Sequence, residues 1–241
     1  MIPVLPANPD APFPPVECAL REPDGLLCAG GDLSPHRLLN AYHHGIFPWF
    51  NPGEPILWWS PDPRMVFRTD AVVLSSKFRR GLRQSTWSLR ADTAFAEVVH
   101  ACATSPRPGQ HGTWIGTDMM AAYMELHRLG HAHSIEVFDG ERLVGGIYGV
   151  AIGRMFYGES MFSGASGGSK IALAALARLL LGRGWPLIDA QVESPHLRTL
   201  GAELVPRPVF AQRIAALVDL PGIVGPWTAD LPDLPVSGLL A

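Results

Sequence analysis

Apolar residues recur along the chain with two different periods, and the longer period predicts helices. Residues 93–103 place Phe95, Val98, Val99 and Cys102 on one stripe, which indicates an amphipathic helix. Further helices are predicted over residues 34–44, with Ser34 as the N-cap, and over residues 117–129, 169–181 and 211–217, with another beginning near Pro195.

The shorter period, and short continuous apolar runs, predict strands. Residues 134–138 and 142–151 flank Asp139-Gly140, a dipeptide typical of hairpin turns. Other predicted strands cover residues 65–68, 71–74, 154–160, 187–193 and 203–205. A strand meander followed by helix, strand and helix favours the α+β class.

Proline and glycine divide the chain into two predicted domains. Residues 1–64 are rich in both and are expected to form a small N-terminal domain. Residues 65–241 are expected to form a larger domain that ends in an irregular, proline-rich tail from Asp219. Between Gly45 and Arg64, aromatic residues alternate with prolines that a core helix or strand would not tolerate. We expect an ordered loop there, whose rings are either exposed for stacking or plug the protein's own core.

Composition indicates a folded protein. The 241 residues are 47% hydrophobic and 17% charged, which suits a hydrophobic core. A net charge of -3 argues against a generally basic nucleic-acid coat protein, although it permits a local basic patch. Three cysteines without a CxxC pair favour a reducing cytoplasm over a disulfide framework. We expect no signal peptide and no membrane-spanning segment.

One predicted strand carries three polar side chains on the same face. Because side chains alternate along residues 187–193, Asp189, Gln191 and Glu193 would point the same way. Burying all three is costly without a purpose. The alternative is an ordinary solvated sheet face.

Glu159 stands among aromatic and apolar neighbours and is a second candidate. It would bind a cation, act as a positioned acid or base, or pair with a buried arginine such as Arg154. Gly158, directly before it, permits the close approach of another backbone.

The glycine-rich stretch 163–170 opens a predicted helix. It lacks the spacing of a P-loop, so a nucleotide triphosphatase is not expected. Either the helix N-terminus binds an anion such as a nucleic-acid phosphate, or the stretch is a flexible loop capped by Ser169.

Two further clusters have weaker interpretations. His127, His131 and His133 have ligand-like spacing, but Gly130 would separate them, so no metal site is expected. The most basic stretch fits phosphate contacts or a solvated charged face; its members are Lys77, Arg79, Arg80, Arg83 and Arg90.

Together these segments resemble the leucyl/phenylalanyl-tRNA–protein transferase family. The resemblance spans most of residues 13–213 in the family's order. Its motifs are GLLCAGGD (25–32), AYHHGIFPWF (41–50), PILWWSPDPR (55–64), TWIGTDMMAAY (113–123), LVGGIYGV (143–150), GESMFS (158–163), SKIAL (169–173), DAQV (189–192) and LGAELVPR (200–207).

The resemblance implies an enzyme that moves Leu or Phe from aminoacyl-tRNA to the N-terminal α-amine of proteins beginning with Arg or Lys. The product enters the N-end rule route to proteolysis. It also implies a GNAT-like acyltransferase domain behind a small N-terminal domain, no cofactor and no metal. The alternatives are another GNAT-like acyltransferase using coenzyme A, whose pyrophosphate loop we do not find in the sequence, and a non-catalytic tRNA-binding module.

Matching positions imply the site residues. Asp189 and Gln191 would be the catalytic pair, and Glu159 would bind the donor amino group or orient the terminal adenosine. The aminoacyl side-chain pocket would be lined by Ile147, Phe156, Gly158, Met161, Leu173, Leu176 and Ile188. The 3′-adenosine would lie near Tyr42, Trp49 and Trp114, and acceptor-stem phosphates near Lys77, Arg79, Arg80 and Arg83. Gly164 and Gly167 depart from the family, which usually has Arg at the first and an acidic or amide residue at the second.

Overall fold

A four-stranded sheet occupies the beginning of the computed structural model, which describes residues 2–105 and 115–240. Its strands are β1 (Val4–Leu5), β2 (Leu26–Gly30), β3 (Phe47–Pro48) and β4 (Leu57–Trp59), in the order β1-β2-β4-β3. Helix α1 (Pro35–His43) begins as predicted, because the Ser34 side chain accepts a hydrogen bond from the Arg37 amide at 3.3 Å. The helix ends before Gly45, which adopts a positive φ of 71°.

The expectation of a loop between Gly45 and Arg64 is wrong in part, because this segment contains β3 and β4. Pro48 is tolerated because β3 is an edge strand of the small sheet. Phe47 and Trp58 are buried at 2% and 0% exposure, so these rings plug the core. Trp49, in contrast, is 39% exposed. The segment therefore buries some of its rings in the core, as one alternative predicted, and leaves another exposed.

The rest of the chain is organised around an eight-stranded sheet. In chain order its strands are β5 (Arg64–Arg68), β6 (Ser88–Ala91), β7 (Ala132–Asp139), β8 (Arg142–Ile152), β9 (Met155–Ser163), β10 (Leu187–Gln191), β11 (Glu203–Val205) and β12 (Leu234–Pro235). The spatial order is β11-β5-β10-β9-β8-β7-β6-β12. Neighbours are antiparallel except β9 and β10, which are parallel and joined through a helix.

Helices cover both faces of this sheet, so the fold mixes α and β elements as the sequence predicted. They are α2 (Ser76–Leu82), α3 (Phe95–Thr104), α4 (Thr117–Arg128), α5 (Gly168–Gly182), α6 (Pro195–Thr199) and α7 (Arg207–Ala215); short 3-10 turns cover Val16–Cys18 and Val236–Leu240. One buried apolar cluster joins the small sheet to α1, α3, α4 and α7. A second packs α5 against the opposite face of the large sheet. Within the described residues, no helix combines the length and apolar character needed to cross a membrane.

Several predicted boundaries need correction. Residues 71–74 are not a strand; they form a loop in which the Val73 amide donates to the Leu200 carbonyl at 2.9 Å. The hairpin turn lies one residue later than predicted, because Asp139 pairs with Arg142 across Gly140 and Glu141. Helix α7 begins at Arg207, before the predicted start at residue 211.

The proline-rich tail is not merely irregular. It supplies strand β12 and buries Trp227 completely. The Trp227 ring stacks on His133 at a centroid distance of 3.8 Å, and the guanidinium of Arg183 lies 4.2 Å from the centre of the same tryptophan ring. The Trp227 amide also donates to Asp92 at 2.7 Å. These contacts attach the tail to the large sheet.

Candidate active site

Glu159 occupies a β-bulge in the middle of strand β9. Tyr148 of β8 pairs with Ser160 and Gly149 pairs with Gly158, which leaves Glu159 as the additional residue. A bulge redirects a side chain without ending the strand. Here it directs a partly buried carboxylate toward the helices α1 and α4.

Among the described residues, three side chains donate hydrogen bonds to the Glu159 carboxylate. Oε1 accepts from the Tyr42 hydroxyl and from Gln191 Nε2, each at 2.8 Å. Oε2 accepts from the Tyr123 hydroxyl at 2.5 Å. The predicted alternative, a bond from Glu159 to a buried arginine such as Arg154, is therefore wrong.

The two tyrosine hydroxyls are also in contact with each other, at 2.8 Å. The carboxylate and the hydroxyls of Tyr42 and Tyr123 thus make three oxygen–oxygen contacts, but two hydroxyls supply only two protons. A proton on Glu159 would complete the triangle. Burial raises the pKa of Glu159 to about 7, against the lowering effect of the hydrogen bonds from Tyr123, Tyr42 and Gln191. Glu159 therefore titrates close to neutral pH.

Asp189 and Gln191 are close in space, and the Asp189 carboxylate contacts the main chain of Gln191, not its carboxamide. The Asp189 carboxylate accepts two hydrogen bonds from Arg64, from Nε at 2.9 Å and from Nη2 at 2.6 Å. Its Oδ1 also accepts the backbone amide of Gln191 at 2.8 Å. Asp189 thus holds the main chain of Gln191, while Glu159 holds the carboxamide.

The regular alternation expected along residues 187–193 is wrong at its end. Opposite β5, Asp189 pairs with Val66 and Gln191 with Met65, so Ala190 is an additional residue in β10. Gln191 ends the strand at a φ of 61°, a conformation unusual for a residue with a side chain. Glu193 lies beyond the strand, is exposed, and pairs with Arg198 at 2.7 Å. It does not belong to the site.

The residues predicted to line the aminoacyl pocket lie together. Five are buried members of the cluster between α5 and the large sheet, and Met161 is a partly buried neighbour of it; the five are Ile147, Phe156, Leu173, Leu176 and Ile188. This cluster lies on the opposite face of the sheet from Tyr42 and Tyr157. Gly158 lies between the two sides, and a Cβ there would approach the Asp189 carbonyl oxygen to 3.2 Å. The close backbone approach expected at Gly158 is confirmed.

The predicted adenosine-binding aromatics have different environments. Tyr42 is fully buried and packs against Tyr157 at 5.2 Å, so only its hydroxyl is directed at the site. Trp49 is exposed and lies 5.6 Å from the Trp59 ring, whose Nε1 donates to the Trp49 carbonyl at 2.7 Å. Trp114 lies outside the described residues.

The predicted basic stretch lies on α2 and its C-cap, apart from the carboxylate network. Its four exposed members are Lys77, Arg79, Arg80 and Arg83. Phe78, on the same helix, packs beside Gly167 at the start of α5. Arg90 instead binds Asp233 of the tail at 3.0 Å.

Ser169 does not cap the helix that follows the glycine-rich stretch. The N-cap position of α5 is Gly167, and the Ser163 hydroxyl at the end of β9 accepts a hydrogen bond from the Ser169 amide at 2.9 Å. Two of the three histidines have other partners: His127 stacks on Phe95, and His133 binds Asp92 at 2.8 Å. Within residues 2–105 and 115–240, no three metal-ligating side chains form a group that could hold an ion.

Two residues of this site were missed from the sequence, Tyr123 and Arg64. Tyr123 lies on the apolar stripe of α4, where a phenolic hydroxyl needs a partner, and that requirement was the available signal. Arg64 opens a buried strand, but nothing in its sequence neighbourhood identifies Asp189, 125 positions away, as its partner.

Comparisons with known proteins agree across nearly the whole chain. Two family models match, "Leucyl/phenylalanyl-tRNA protein transferase N-terminal domain" over residues 31–62 and "Leucyl/phenylalanyl-tRNA protein transferase" over residues 66–215. A relative of that name from Xanthomonas euvesicatoria pv. vesicatoria (strain 85-10) is 69% identical over 236 residues, 98% of this chain and 94% of the relative. Another from Xylella fastidiosa (strain 9a5c) is 62% identical over 221 residues, 90% of this chain and 91% of the relative.

Among solved structures the likeness is distant. L-PGS from Bacillus licheniformis matches with a TM-score of 0.39 and 12% identity, over 80% of this chain and 73% of that one. A similarity of this size supports no argument about function.

Proposed function

The chain belongs to the leucyl/phenylalanyl-tRNA–protein transferase family, and on that premise we propose that Gln191, held by Glu159 and Asp189, forms its catalytic centre. The enzyme transfers leucine or phenylalanine from aminoacyl-tRNA to a protein. By family resemblance the acceptors begin with Arg or Lys, and the added residue marks them for proteolysis.

The reaction needs little activation. The α-amine of the acceptor attacks the ester carbonyl, an amide bond forms, and the bond to the tRNA 3′-oxygen breaks. The amine loses a proton and the ribose hydroxyl gains one. Because the donor is already an activated ester, holding the two reactants in the correct geometry supplies much of the acceleration.

The orientation of the Gln191 carboxamide carries the proposal. Its Nε2 donates to Glu159 at 2.8 Å. An ionised carboxylate only accepts hydrogen bonds, so it fixes the NH₂ group toward itself and directs Oε1 away. Within the described part of the chain, Oε1 accepts no hydrogen bond. Gln191 Oε1 accepts a hydrogen bond from the attacking amine. This bond aligns the lone pair of the amine nitrogen with the ester carbonyl.

Glu159 controls this orientation through its own protonation. Once protonated, its carboxyl can donate, and it no longer requires the NH₂ side of Gln191. Because the pKa of Glu159 is raised to about 7 by burial, the orienting form is gained as the pH rises through neutrality. The ionised carboxylate also offers an acceptor for the amino group of the aminoacyl donor.

The apolar cluster beneath Gly158 is proposed to hold the aminoacyl side chain. Its members Ile147, Phe156, Leu176 and Ile188 are almost completely buried, and partly buried Met161 provides an adjustable edge. An apolar pocket gains only about 1–3 kcal/mol from one extra group, which suits a site that accepts both leucine and phenylalanine.

The tRNA is proposed to approach from the side of α2. Four exposed cations there suit the phosphates of the acceptor stem; they are Lys77, Arg79, Arg80 and Arg83. Exposed Trp49 is proposed to stack on the 3′-adenosine, together with Trp114. Tyr42 is fully buried, so its proposed contribution there is indirect, through the hydroxyl that donates to Glu159. Phosphate contacts position a nucleic acid without reading its sequence, so discrimination among tRNAs should be weak.

We further propose that residues 1–64 and 65–241 are two domains and that the second is GNAT-like. The separate small sheet and the boundary between the two matched regions, at residues 62–66, support the division. The parallel β9–α5–β10 crossover inside a mostly antiparallel sheet supports a GNAT-like arrangement. A cytoplasmic location follows from the proposed substrates, because charged tRNAs are found there.

Transfer of labelled phenylalanine from Phe-tRNA tests the proposal. Without coenzyme A, the label is expected on proteins that begin with Arg or Lys and not on matched proteins that begin with Met. Labelling that requires coenzyme A would favour the alternative acyltransferase. Binding of Phe-tRNA without any transfer would favour a non-catalytic module.

A further inference from the structure

Arg64 and Asp189 form an ion pair that is sealed from solvent. Both side chains have 0% exposure, and two hydrogen bonds of 2.9 and 2.6 Å join them. A buried pair recovers the cost of leaving water only when its geometry is good and its remaining polar atoms are satisfied. Arg64 Nη1 is buried without a hydrogen-bond partner among the described residues, so stability alone does not account for this pair beside Gln191.

Three separate segments fix the plane of the Arg64 guanidinium. The Arg64 Cζ atom lies 4.8 Å from the centre of the Phe47 ring of β3 and 4.7 Å from the centre of the Phe210 ring of α7. Arg64 itself opens β5, which pairs with β10. The N-terminal sheet, the large sheet and α7 thus meet at this one guanidinium, which then holds Asp189 by a bidentate contact.

Asp189 passes this constraint to Gln191 through the main chain. Its Oδ1 accepts both Arg64 Nε and the Gln191 amide, the latter at 2.8 Å. Gln191 needs such support because its φ of 61° is unfavourable for a residue with a side chain. Releasing Asp189 would let the strand end relax and would move the carboxamide.

The burial of Asp189 argues against direct contact with a substrate amine. With 0% exposure and three hydrogen bonds accepted from the protein, its carboxylate is not presented to the site. We propose that Arg64 is a positioning residue for the transfer reaction and that Asp189 acts with it as one unit, through the backbone of Gln191. This inference rests on the proposed catalytic role of Gln191.

The test measures single-turnover transfer from Phe-tRNA to an Arg-initiated peptide, with the binding of Phe-tRNA measured separately. Arg64→Met and Asp189→Asn are each expected to lower the rate about 100-fold, the scale of a 1 Å misplacement, while the Kd for Phe-tRNA changes less than about twofold. The double variant R64M/D189N is expected to be no slower than the slower single variant, because the two residues act as one unit. Arg64→Lys, which keeps the charge but not the fork, should recover part of the rate.

A fifth variant addresses the risk that a lone buried charge prevents folding. R64M/D189L replaces the pair by apolar groups and is expected to fold and yet to transfer as slowly as the single variants. Arg128→Met is the matched control, because it removes an exposed bidentate contact to Glu125 and should leave the rate unchanged.

Two results would overturn the inference. One is a wild-type rate in Arg64→Met or in folded R64M/D189L. The other is a double variant whose loss equals the product of the single losses, which would show that Asp189 acts independently of Arg64. If Gln191→Ala also transfers at the wild-type rate, the failure lies in the proposed catalytic centre. If Gln191→Ala is slow while the Arg64 variants are not, only this inference fails.

Discussion

The hydroxyl oxygens of Tyr42 and Tyr123 lie 2.8 Å apart, although the residues are separated by 81 positions in the chain. Both hydroxyls also contact Glu159, so α1, α4 and the bulge of β9 meet at one carboxyl group. Burial raises the pKa of this carboxyl group to about 7, so the network is sensitive to pH near neutrality.

The rate of transfer is therefore expected to fall as Glu159 becomes protonated. The kcat of the wild type should fall below an apparent pKa near 7, because the ionised form orients Gln191. The hydrogen bond from Tyr123 lowers the pKa of Glu159, so Tyr123→Phe should raise that pKa and move the acid limb to higher pH. A pH–rate profile for each enzyme measures the shift.

The acceptor amine also titrates in this range, with a typical pKa of about 7.7–8.0. Its contribution is the same for every variant, so the difference between profiles isolates Glu159. Tyr157→Phe is the control, since the Tyr157 hydroxyl makes no bond to Glu159. An acid limb that stays in place in Tyr123→Phe would refute this role of the carboxylate.

A second buried carboxyl group makes stability depend on pH. Burial raises the pKa of Glu136 from its ordinary value to about 7, despite hydrogen bonds from Ser134 and Thr93. The pKa of Glu136 is higher in the folded protein than in the unfolded chain. Its contribution to the free energy of unfolding is therefore fully present below about pH 4.5 and is lost as the pH rises through 7. The loss is on the order of 3 kcal/mol.

Glu136→Gln should remove that dependence. Compared with the wild type, the variant is expected to be relatively more stable at pH 8 than at pH 5 in urea unfolding. Exposed Glu97→Gln provides the control. Equal differences at the two pH values would show that Glu136 ionises in the folded protein as easily as in the unfolded chain.

The cations of α2 should govern the salt dependence of tRNA binding. Replacing Arg79, Arg80 and Arg83 by Ala is expected to weaken binding to any tRNA. The slope of log K against log salt should fall by about one for each phosphate that the variant no longer binds. Filter binding at several salt concentrations measures both quantities.

The control is a triple variant of exposed arginines elsewhere, Arg128, Arg142 and Arg213, which should retain the wild-type slope. A wild-type slope in the α2 variant would place the tRNA on another surface.

Met161 should influence the choice between leucine and phenylalanine. It is partly buried at the edge of the proposed pocket, so Met161→Phe fills space without disturbing the fully buried members. Transfer of Phe should decline relative to Leu by about tenfold or more. Leu179→Phe, at a partly buried position against the same cluster but outside the proposed pocket, should leave the ratio unchanged. An unchanged ratio of Phe to Leu transfer in Met161→Phe would show that the aminoacyl pocket does not lie in this cluster.

Local patterns predicted much of the fold because they depend on neighbours in the chain. The helix cap at Ser34, the stripe from Phe95 to Cys102 and the strand over residues 134–138 are examples that the structure confirms. The strand at Phe47 and Pro48 was predicted as a loop because proline is excluded from most strands. An edge strand tolerates proline, and edge position is a property of the assembled sheet. The burial of Trp227 in the tail was not predicted, because its partners His133 and Arg183 lie far away in the chain.

The site was predictable in its members more than in its contacts. Glu159 stood out as a carboxylate among apolar residues, but its bulge arises from pairing with Tyr148 and Gly149. Simple alternation correctly brought Asp189 and Gln191 together and failed to show that a bulge and a positive φ separate their roles. Strain of this kind is a feature of functional sites that sequence periodicity does not reveal.

The most direct test of the proposed mechanism is single-turnover transfer by Gln191→Ala, with the Kd for Phe-tRNA measured on the same preparation. The mechanism predicts that the rate falls at least about 100-fold, the scale expected when a group that aligns the reactants is removed, while the Kd stays within about twofold of the wild type. A wild-type rate, or a slower rate matched by an equal loss of binding, would contradict the claim that the Gln191 carboxamide receives the attacking amine.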